Sequence, residues 1–283
     1  MQSIHVAVVI LTYNEELNLP FAIESVINWA ASIQIVDSYS SDRTLEIARS
    51  YGVEIYQHTF DDFSTQRNWA LDHLPFTSDW IFFLDADEQM TDELKHEIEA
   101  ELSACNYGVS AYAIRQTFVL IGRVLKHSHD SPRLVRMVKR GRAHWICYGV
   151  RESCSVDGTI VNLRYKLWHE DHRGLNYWID KHNNYTTREA ALVVETIPRN
   201  VNINSERRLR VYIRSRIYPR VPRGIRPIAF FTYRYFIKFG FLDGYPGLVF
   251  CFLHAFWYPL LIDAKVYETR HKLTESRIAR TSP

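Results

Sequence analysis

The first ninety residues alternate short apolar runs with segments of helical periodicity. The run His5–Tyr13 is almost wholly apolar and rich in Val and Ile, which is typical of a strand buried on both faces of a parallel sheet. A helix is predicted after it, with Asn18 as its N-cap and Leu19 and Ile23 on its buried face. Further strands are predicted at 33–37, 53–58 and 80–84, and further helices at 41–51, at 65–74 and from Thr91. The alternation predicts a mostly parallel sheet flanked by helices, with ligands at the carboxyl ends of its strands.

The pattern changes beyond Gly108. Longer strands are predicted at 109–121, 133–138 and 159–163, followed by a helix at 177–194. The last hundred residues divide into an arginine-rich stretch and a strongly aromatic one. We therefore expect an α/β domain over residues 1–198, and a basic, aromatic, helical region that associates with membranes over residues 199–283.

Composition indicates a folded chain and excludes a multispan membrane protein. Apolar residues make up 47% of the 283 residues and charged residues 23%, with a formal net charge of +2. The four cysteines are widely separated and lack CxxC spacing, which favours reduced thiols over a zinc or redox site. The N-terminus lacks the pattern of a secretory signal, so we expect a cytoplasmic protein.

The C-terminal region combines positive charge with aromatic side chains. Residues 199–226 contain nine arginines and one acid, Glu206. Gly244–Ile262 carries no formal charge over nineteen residues, about the length that spans a bilayer, although Pro246 and Pro259 argue against a straight span. We expect helices lying on the cytoplasmic face of the inner membrane, with arginines held by anionic lipid. The alternatives are a helical subdomain packed against the sheet and a self-association surface, which would produce a homo-oligomer.

Polar side chains follow three of the predicted strands. Thr12-Tyr13-Asn14-Glu15-Glu16 follows the first, Asp37 the second, and Asp85-Ala86-Asp87 the fourth. Two carboxylates one residue apart can bind Mg²⁺ or Mn²⁺ and leave coordination positions for phosphate oxygens. The alternative is that Asp85 and Asp87 only stabilise a turn, where Asp is common.

The motifs around these strand ends resemble those of the family 2 glycosyltransferases. LTYNEE, IVDSYSSDRT, STQRNWAL and WIFFLDADE occur in the family's order and spacing. The chain is similar to the bacterial lipopolysaccharide-core enzymes of that family, which add glucose to inner-core heptose. The resemblance is tight over the first ninety residues and weaker beyond them. It implies a GT-A fold and a nucleotide-diphosphate sugar as donor.

By this resemblance, several residues would bind the donor. Thr12, Tyr13 and Glu15 would line the nucleoside pocket, with Tyr13 stacked on the base. Asp37 would accept a hydrogen bond from the base. Tyr39 and Arg43 stand where the family often has small residues, frequently glycine, which leaves the identity of the nucleotide open. In isolation, Tyr13 would more simply pack at a strand end.

The resemblance assigns other residues to the diphosphate and the metal. Arg67 would contact the diphosphate, Asp85 the ribose or the surroundings of the metal, and Asp87 the metal itself. His169, in Trp168-His169-Glu170, would approach the diphosphate or the metal. Arg67 would otherwise lie on a solvated helix face, and a single histidine is more often structural.

An inverting transferase needs a base that deprotonates the acceptor hydroxyl. Glu152 is the candidate, because Gly149-Val150-Arg151-Glu152 resembles the family's V-H-E segment, and Glu88 is the reserve. A surface glutamate paired with Arg151 is the alternative. Lys181 and Tyr185, one helical turn apart, are expected to face the same cleft, although an ordinary exposed helix face explains them equally well.

The resemblance, together with the polar strand ends, implies an inverting, metal-dependent glycosyltransferase that moves a hexose from a UDP-sugar to a lipid-linked or cell-surface glycan. A nucleotidyltransferase would need a glycine-rich phosphate loop, and residues 10–20 contain no glycine. The aromatic tail is too apolar for a nucleic-acid-binding surface. A noncatalytic scaffold that keeps the fold remains the alternative.

Overall fold

The structure is a computed structural model that describes residues 5–104, 108–148, 151–194, 222 and 224–281. It divides into two compact units. The first comprises Met1–Val124 and Asp130–Gly174, and the second comprises Leu125–His129 and Leu175–Pro283. The domain boundary predicted between residues 198 and 199 falls outside the described residues and stays a prediction.

The first unit is built on an extended sheet with helices between its strands. Its strands are β1 (Val6–Thr12), β2 (Ser32–Asp37), β3 (Glu54–Gln57), β4 (Trp80–Asp85), β5 (Glu88–Gln89), β6 (Val109–Leu120), β7 (Arg123–Val124), β8 (Leu134–Lys139), β9 (Ala143–Tyr148), β10 (Arg151–Val156) and β11 (Thr159–Glu170). Its helices are α1 (Leu19–Val26), α2 (Thr44–Ser50), α3 (Phe63–His73) and α4 (Asp92–Ser103). The predicted α/β class is confirmed.

The main sheet is mixed. Its strand order is β3-β2-β1-β4-β8-β6-β11-β5, with β7 paired to β6. The strands β3, β2, β1 and β4 are parallel, as the βαβ pattern predicts, and β8 runs antiparallel to both β4 and β6. Strands β9 and β10 form a separate antiparallel hairpin. Because β1 lies between β2 and β4, their carboxyl ends meet at one edge of the sheet.

The buried apolar strands place the core on both faces of the sheet. Alternate residues of β1 belong to opposite faces, with Val8 and Ile10 in one buried cluster and Ala7 and Val9 in the other. All four side chains are fully buried. The central strand therefore carries no polar face, which explains its continuous apolar run.

Side-chain caps define the start of two helices that flank the site. The carboxylate of Asp62 accepts from the backbone N–H of Thr65 at 2.9 Å, and Thr91 Oγ1 accepts from Leu94 N–H at 3.3 Å. The predicted cap of α1 is wrong in its chemistry. Asn18 stands at the N-cap position but makes no capping bond, because its Oδ1 accepts from the backbone N–H of His172 at 2.8 Å instead.

The second unit is helical in its described part, apart from the loop Leu125–His129 and short connections. Helix α5 (Gly174–Val194) enters it, and a run of helical segments follows: Ile225–Thr232, Tyr233–Ile237, Gly240–Asp243, Gly244–Phe250, Cys251–Trp257 and Tyr258–Thr281. Asp243 is buried and accepts from the backbone N–H groups of Lys126, His127 and Ser128 at 2.7–3.1 Å. Within the described ranges, one helical stretch, Gly240–Lys272, is long and apolar enough to cross a membrane. Of the nine predicted cluster arginines, all but Arg226 lie outside the described residues.

Candidate functional site

The ends of β1 and β2 are joined by a buried polar contact. Thr12 and Asp37 are paired in register, and Thr12 Oγ1 donates to Asp37 Oδ1 at 3.0 Å. The other oxygen of Asp37 accepts from Ser40 N–H at 2.9 Å and from Gln57 at 3.3 Å. Asp37 is fully buried, so its carboxylate supports the loop in this structure. Its contact with a base stays a prediction.

Hydrogen bonds join the loop after β1 to the loop after β2. Asn14 Oδ1 accepts from Ser41 N–H at 2.8 Å, while Asn14 N–H donates to Ser40 Oγ at 2.9 Å. Asn14 and Tyr39 both adopt left-handed backbone conformations, with φ of 54° and 60°. Tyr13 and Tyr39 are 56% and 58% exposed. Two aromatic rings thus stand in solvent at neighbouring strand ends, as stacking on a base requires.

The turn after β4 brings Asp87 next to His169. Strand β5 pairs with β11, with Glu88 opposite His169, and this register carries Asp87 to the same edge. His169 Nδ1 lies 3.5 Å from Asp87 Oδ1, and the imidazole stacks on Phe118 with ring centroids 5.0 Å apart. The structure therefore brings together the two predicted metal ligands.

His169 Nδ1 is buried and has no hydrogen-bond partner among the described residues. Such an atom is costly to leave unpaired, which favours a site where a ligand supplies the partner. In the described part of the chain, no group of three or more His, Cys, Asp or Glu side chains is arranged to hold a metal. Sites for Mg²⁺ that use substrate phosphates need only one or two protein carboxylates, so Asp87 fits such a site, and His169 lies beside it.

Arg67 is buried rather than solvated. Its side chain is 2% exposed, and Nη2 donates to Asp85 Oδ1 at 2.9 Å while Nη1 pairs with Glu152 Oε2. Both terminal nitrogens therefore hold carboxylates of this unit. A contact of Arg67 with a diphosphate stays a prediction, and the surface-helix alternative is wrong.

Asp85 is held on its other side by Arg136. Arg136 Nη2 lies 2.7 Å from Asp85 Oδ2 and 2.6 Å from Glu88 Oε1. Burial disfavours the charged form of Asp85, but Arg136 and Arg67 outweigh that cost and hold the pKa of Asp85 below its ordinary value. Burial raises the pKa of Glu88, because Arg136 offsets it only in part and the charge of Asp85 adds to it.

Glu152 lies in β10, opposite Cys147 in the hairpin. Its side chain is half-buried, and Oε2 pairs with Arg67. Oε1 has no hydrogen-bond partner among the residues that the structure describes. The predicted pairing with Arg151 cannot be compared, because that side chain lies outside the described set. Glu152 therefore has one oxygen anchored and one available for a proton.

Arg173 is a site residue that sequence reasoning missed. Its Nη1 donates to Glu15 Oε1 at 2.6 Å, its Nη2 donates to Asp171 at 2.7 Å, and Nη2 lies 3.8 Å from Asp87 Oδ2. It thus joins the loop after β1 to the turn after β4. The available signal was the charged run after β11, in which Arg173 follows His172 directly.

Lys181 and Tyr185 lie on α5 in the second unit. Lys181 Nζ is 6.0 Å from the centroid of the Tyr177 ring, and Tyr185 contacts the His182 ring edge-on at 5.7 Å. Their predicted place beside the donor is untested and stays a prediction.

The sequence also matches known proteins. The model named Glycosyl transferase family 2 matches residues 7–168, more than half of the chain. The lipopolysaccharide core biosynthesis glycosyltransferase LpsC of Rhizobium meliloti is 27% identical over 279 residues, covering 93% of this chain and 92% of LpsC. An uncharacterized glycosyltransferase of Rickettsia bellii is 38% identical over 90 residues, which span 32% of this chain and 30% of that relative.

Among solved structures, S. aureus TarS 1-349 is similar with a TM-score of 0.47 and 13% identity, covering 98% of this chain and 92% of that one. Glucosyl-3-phosphoglycerate synthase of Mycobacterium tuberculosis, in complex with Mn²⁺, UDP and glucosyl-3-phosphoglycerate, has a TM-score of 0.44 and 14% identity, covering 69% of this chain and 81% of that one.

Proposed function

The chain belongs to glycosyl transferase family 2, and on that premise we propose that it is an inverting, metal-dependent hexosyltransferase that uses a UDP-sugar. The acceptor is a lipid-linked or lipopolysaccharide glycan at the cytoplasmic face of the inner membrane. The likeness to LpsC along nearly the whole chain supports this class of acceptor. The motif resemblance and the exposed Tyr13 support a nucleotide as the donor's leaving group.

The observation that carries the proposal is the unpaired, buried Nδ1 of His169 beside Asp87. Asp87 and His169 would hold the cation, and a bound Mg²⁺ or Mn²⁺ would neutralise the charge of the departing diphosphate. Buried polar atoms in proteins almost always have a hydrogen-bond partner, so a buried nitrogen that lacks one is expected to bind a metal ion or a substrate group. Asp85 would keep the turn that carries Asp87 in place, because Arg67 and Arg136 each donate to one of its two oxygens.

Glu152 is the proposed base. The acceptor hydroxyl oxygen forms a bond to the anomeric carbon, the bond from that carbon to the diphosphate oxygen breaks, and the hydroxyl proton passes to Oε1 of Glu152. Arg67 holds Oε2, so the free oxygen keeps a defined direction. Attack from the face opposite the diphosphate inverts the anomeric configuration.

Thermal stabilisation by nucleotide sugars tests the donor and metal assignments together. A ligand that binds only the folded state raises the melting temperature, so UDP-sugar with Mn²⁺ should stabilise the wild type more than either component alone. Asp87→Ala should lose the metal-dependent part and should not release UDP. Wild-type protein that responds to no nucleotide sugar, with or without metal, would contradict the proposal and favour a noncatalytic scaffold.

The surface of residues 225–252 supports membrane association. This segment exposes large apolar side chains at many positions: Ile225, Ile228, Tyr233, Phe236, Ile237, Phe239, Leu242, Tyr245 and Phe252. Its one acid, Asp243, is 3% exposed, while Arg226, Arg234 and Lys238 supply positive charge. An exposed aromatic surface without carboxylates suits the headgroup region of an anionic bilayer.

Cosedimentation with lipid vesicles tests this surface. The full chain should bind vesicles of phosphatidylglycerol and phosphatidylethanolamine, and Ile237→Asp with Tyr245→Asp should weaken that binding. Ile160→Asp, at an exposed apolar position of the first unit, is the matched control. Equal binding of all three proteins would rule out residues 225–252 as the membrane-binding surface.

A further inference from the structure

The turn that carries Asp87 is bound at both ends by one guanidinium nitrogen. Nη2 of Arg136 bonds Asp85 Oδ2 at 2.7 Å, before Asp87, and Glu88 Oε1 at 2.6 Å, after it. The side chain of Glu88 also bonds back to the start of the turn, where its Oε2 accepts from the backbone N–H of Asp85 at 3.0 Å. Asp87 therefore stands on a short loop whose two flanking carboxylates share a single donor.

Glu88 links this turn to the strand that carries His169. Its backbone pairs with His169 in the β5–β11 ladder, and its side chain also accepts from Gln116 Nε2 on β6. Any movement of Glu88 would change where Asp87 stands relative to His169. Arg136, whose guanidinium holds Glu88, lies on β8, the strand between β4 and β6.

Arg136 is buried and none of its chemistry is used by the proposed reaction. Its side chain is 4% exposed, and its Nε is buried without a hydrogen-bond partner in the described part of the chain. The side chain thus leaves Nε without a partner while Nη2 contacts both Asp85 and Glu88. This arrangement favours the two carboxylate contacts over full pairing of the guanidinium. Metal ligands depend on such supporting groups, whose loss typically lowers metal affinity by about 10- to 100-fold.

We propose that Arg136 is a positioning residue that holds Asp85 and Glu88 together and thereby fixes Asp87 opposite His169. This inference rests on the proposed metal dependence of the enzyme. In this role Arg136 acts through the two carboxylates that flank Asp87. The simpler possibility is that Arg136 only neutralises two buried acids, and a lysine would do that equally well.

Arg136→Lys separates these possibilities, because it keeps the charge, but its ammonium nitrogen lies one bond nearer the backbone than Nη2 and cannot take the same place between the two carboxylates. Arg140→Lys is the matched control, since Arg140 lies just after the same strand and donates to the backbone oxygen of Phe76 at 2.8 Å. Gln116→Met is a second variant that changes no charge and releases Glu88 from its neutral donor. Binding of Mn²⁺ in the presence of UDP is measured from the loss of the free Mn²⁺ signal in electron paramagnetic resonance. The melting temperature without ligand reports folding.

Arg136→Lys is expected to weaken Mn²⁺ binding by at least about tenfold, Gln116→Met to weaken it by a smaller factor, and Arg140→Lys to leave it unchanged. Folded Arg136→Lys that binds Mn²⁺ as the wild type does would overturn the positioning role and leave the proposed function intact. If Arg136→Lys does not fold, Gln116→Met decides, and wild-type affinity in that variant overturns the inference. A wild type that does not bind Mn²⁺ with UDP overturns the metal dependence itself.

Discussion

Arg173 and Glu15 form a 2.6 Å ion pair across 158 residues of sequence. Arg173 follows the last strand of the main sheet, and Glu15 lies in the loop after the first. Both side chains are largely buried, at 7% and 13% exposure. The pair therefore closes the loop after β1 against the end of β11, beside Asp87.

Arg173→Met should destabilise the protein. It leaves the carboxylates of Glu15 and Asp171 near each other without the cation that they share, and the loss of one member of a buried pair costs about 3 kcal/mol. Urea unfolding of the full chain measures the change. Arg43→Met is the control, because its pair with Glu46 is exposed at both ends and should contribute much less to stability. Equal effects of the two substitutions would contradict the role given to Arg173.

Glu152→Gln should slow sugar transfer while the donor still binds. The amide cannot accept the acceptor's proton, so turnover should fall by about 10²- to 10⁴-fold. Donor affinity, measured by calorimetry with UDP-sugar and Mn²⁺, should change little. A variant that keeps wild-type UDP release would remove Glu152 as the base and bring Glu88 forward.

The pattern of apolar and polar residues predicts much of the fold, but it predicts only part of the candidate site. The strands at residues 6–12, 32–37 and 80–85 were predictable because each is a continuous apolar run that ends in a polar turn. The placement of the strand ends that carry Asp37 and Asp85 at one edge of the sheet follows from parallel pairing. Arg136 was not predictable, because its partners lie 51 and 48 residues away and leave no periodic signal.

Tyr39 shows both the strength and the limit of motif reasoning. The resemblance identified it as a departure at a position where glycine is frequent. The structure supplies the physical reason, since φ at Tyr39 is 60°, a conformation that glycine adopts without strain. What the sequence could not supply is the exposure of this side chain, which is 58%.

Two glycines in comparable turns should respond differently to alanine. Gly141 and Gly158 both have positive φ, at 73° and 128°, but a Cβ at Gly141 would meet open space, whereas one at Gly158 would collide with Ser110. Gly141→Ala should cost about 1 kcal/mol from backbone strain alone. Gly158→Ala adds overpacking and should cost about 3 kcal/mol. Equal free energies of unfolding for the two variants would contradict the close packing at Gly158.

The final prediction concerns acid stability. The folded-state pKa of Asp85 lies below its ordinary value of 3.8, because the attraction of Arg136 and Arg67 outweighs the effect of burial, which raises the pKa. Ionised Asp85 therefore stabilises the folded state. That contribution is fully present above pH 3.8 and is lost as the pH falls through the folded-state pKa. Glu88 acts in the opposite sense, because its raised pKa favours the folded state below pH 4.5 and that contribution is lost at higher pH.

Asp85→Asn should therefore lower the free energy of unfolding most near neutral pH, and by progressively less as the pH falls below 3.8. The amide carries no charge to pair with the guanidinium groups of Arg67 and Arg136, so the variant lacks the charge-dependent contribution at every pH. Urea denaturation of wild type and variant between about pH 3 and pH 7 measures the difference. A difference that stays constant over this range would mean that the two arginines do not hold Asp85 in its charged form.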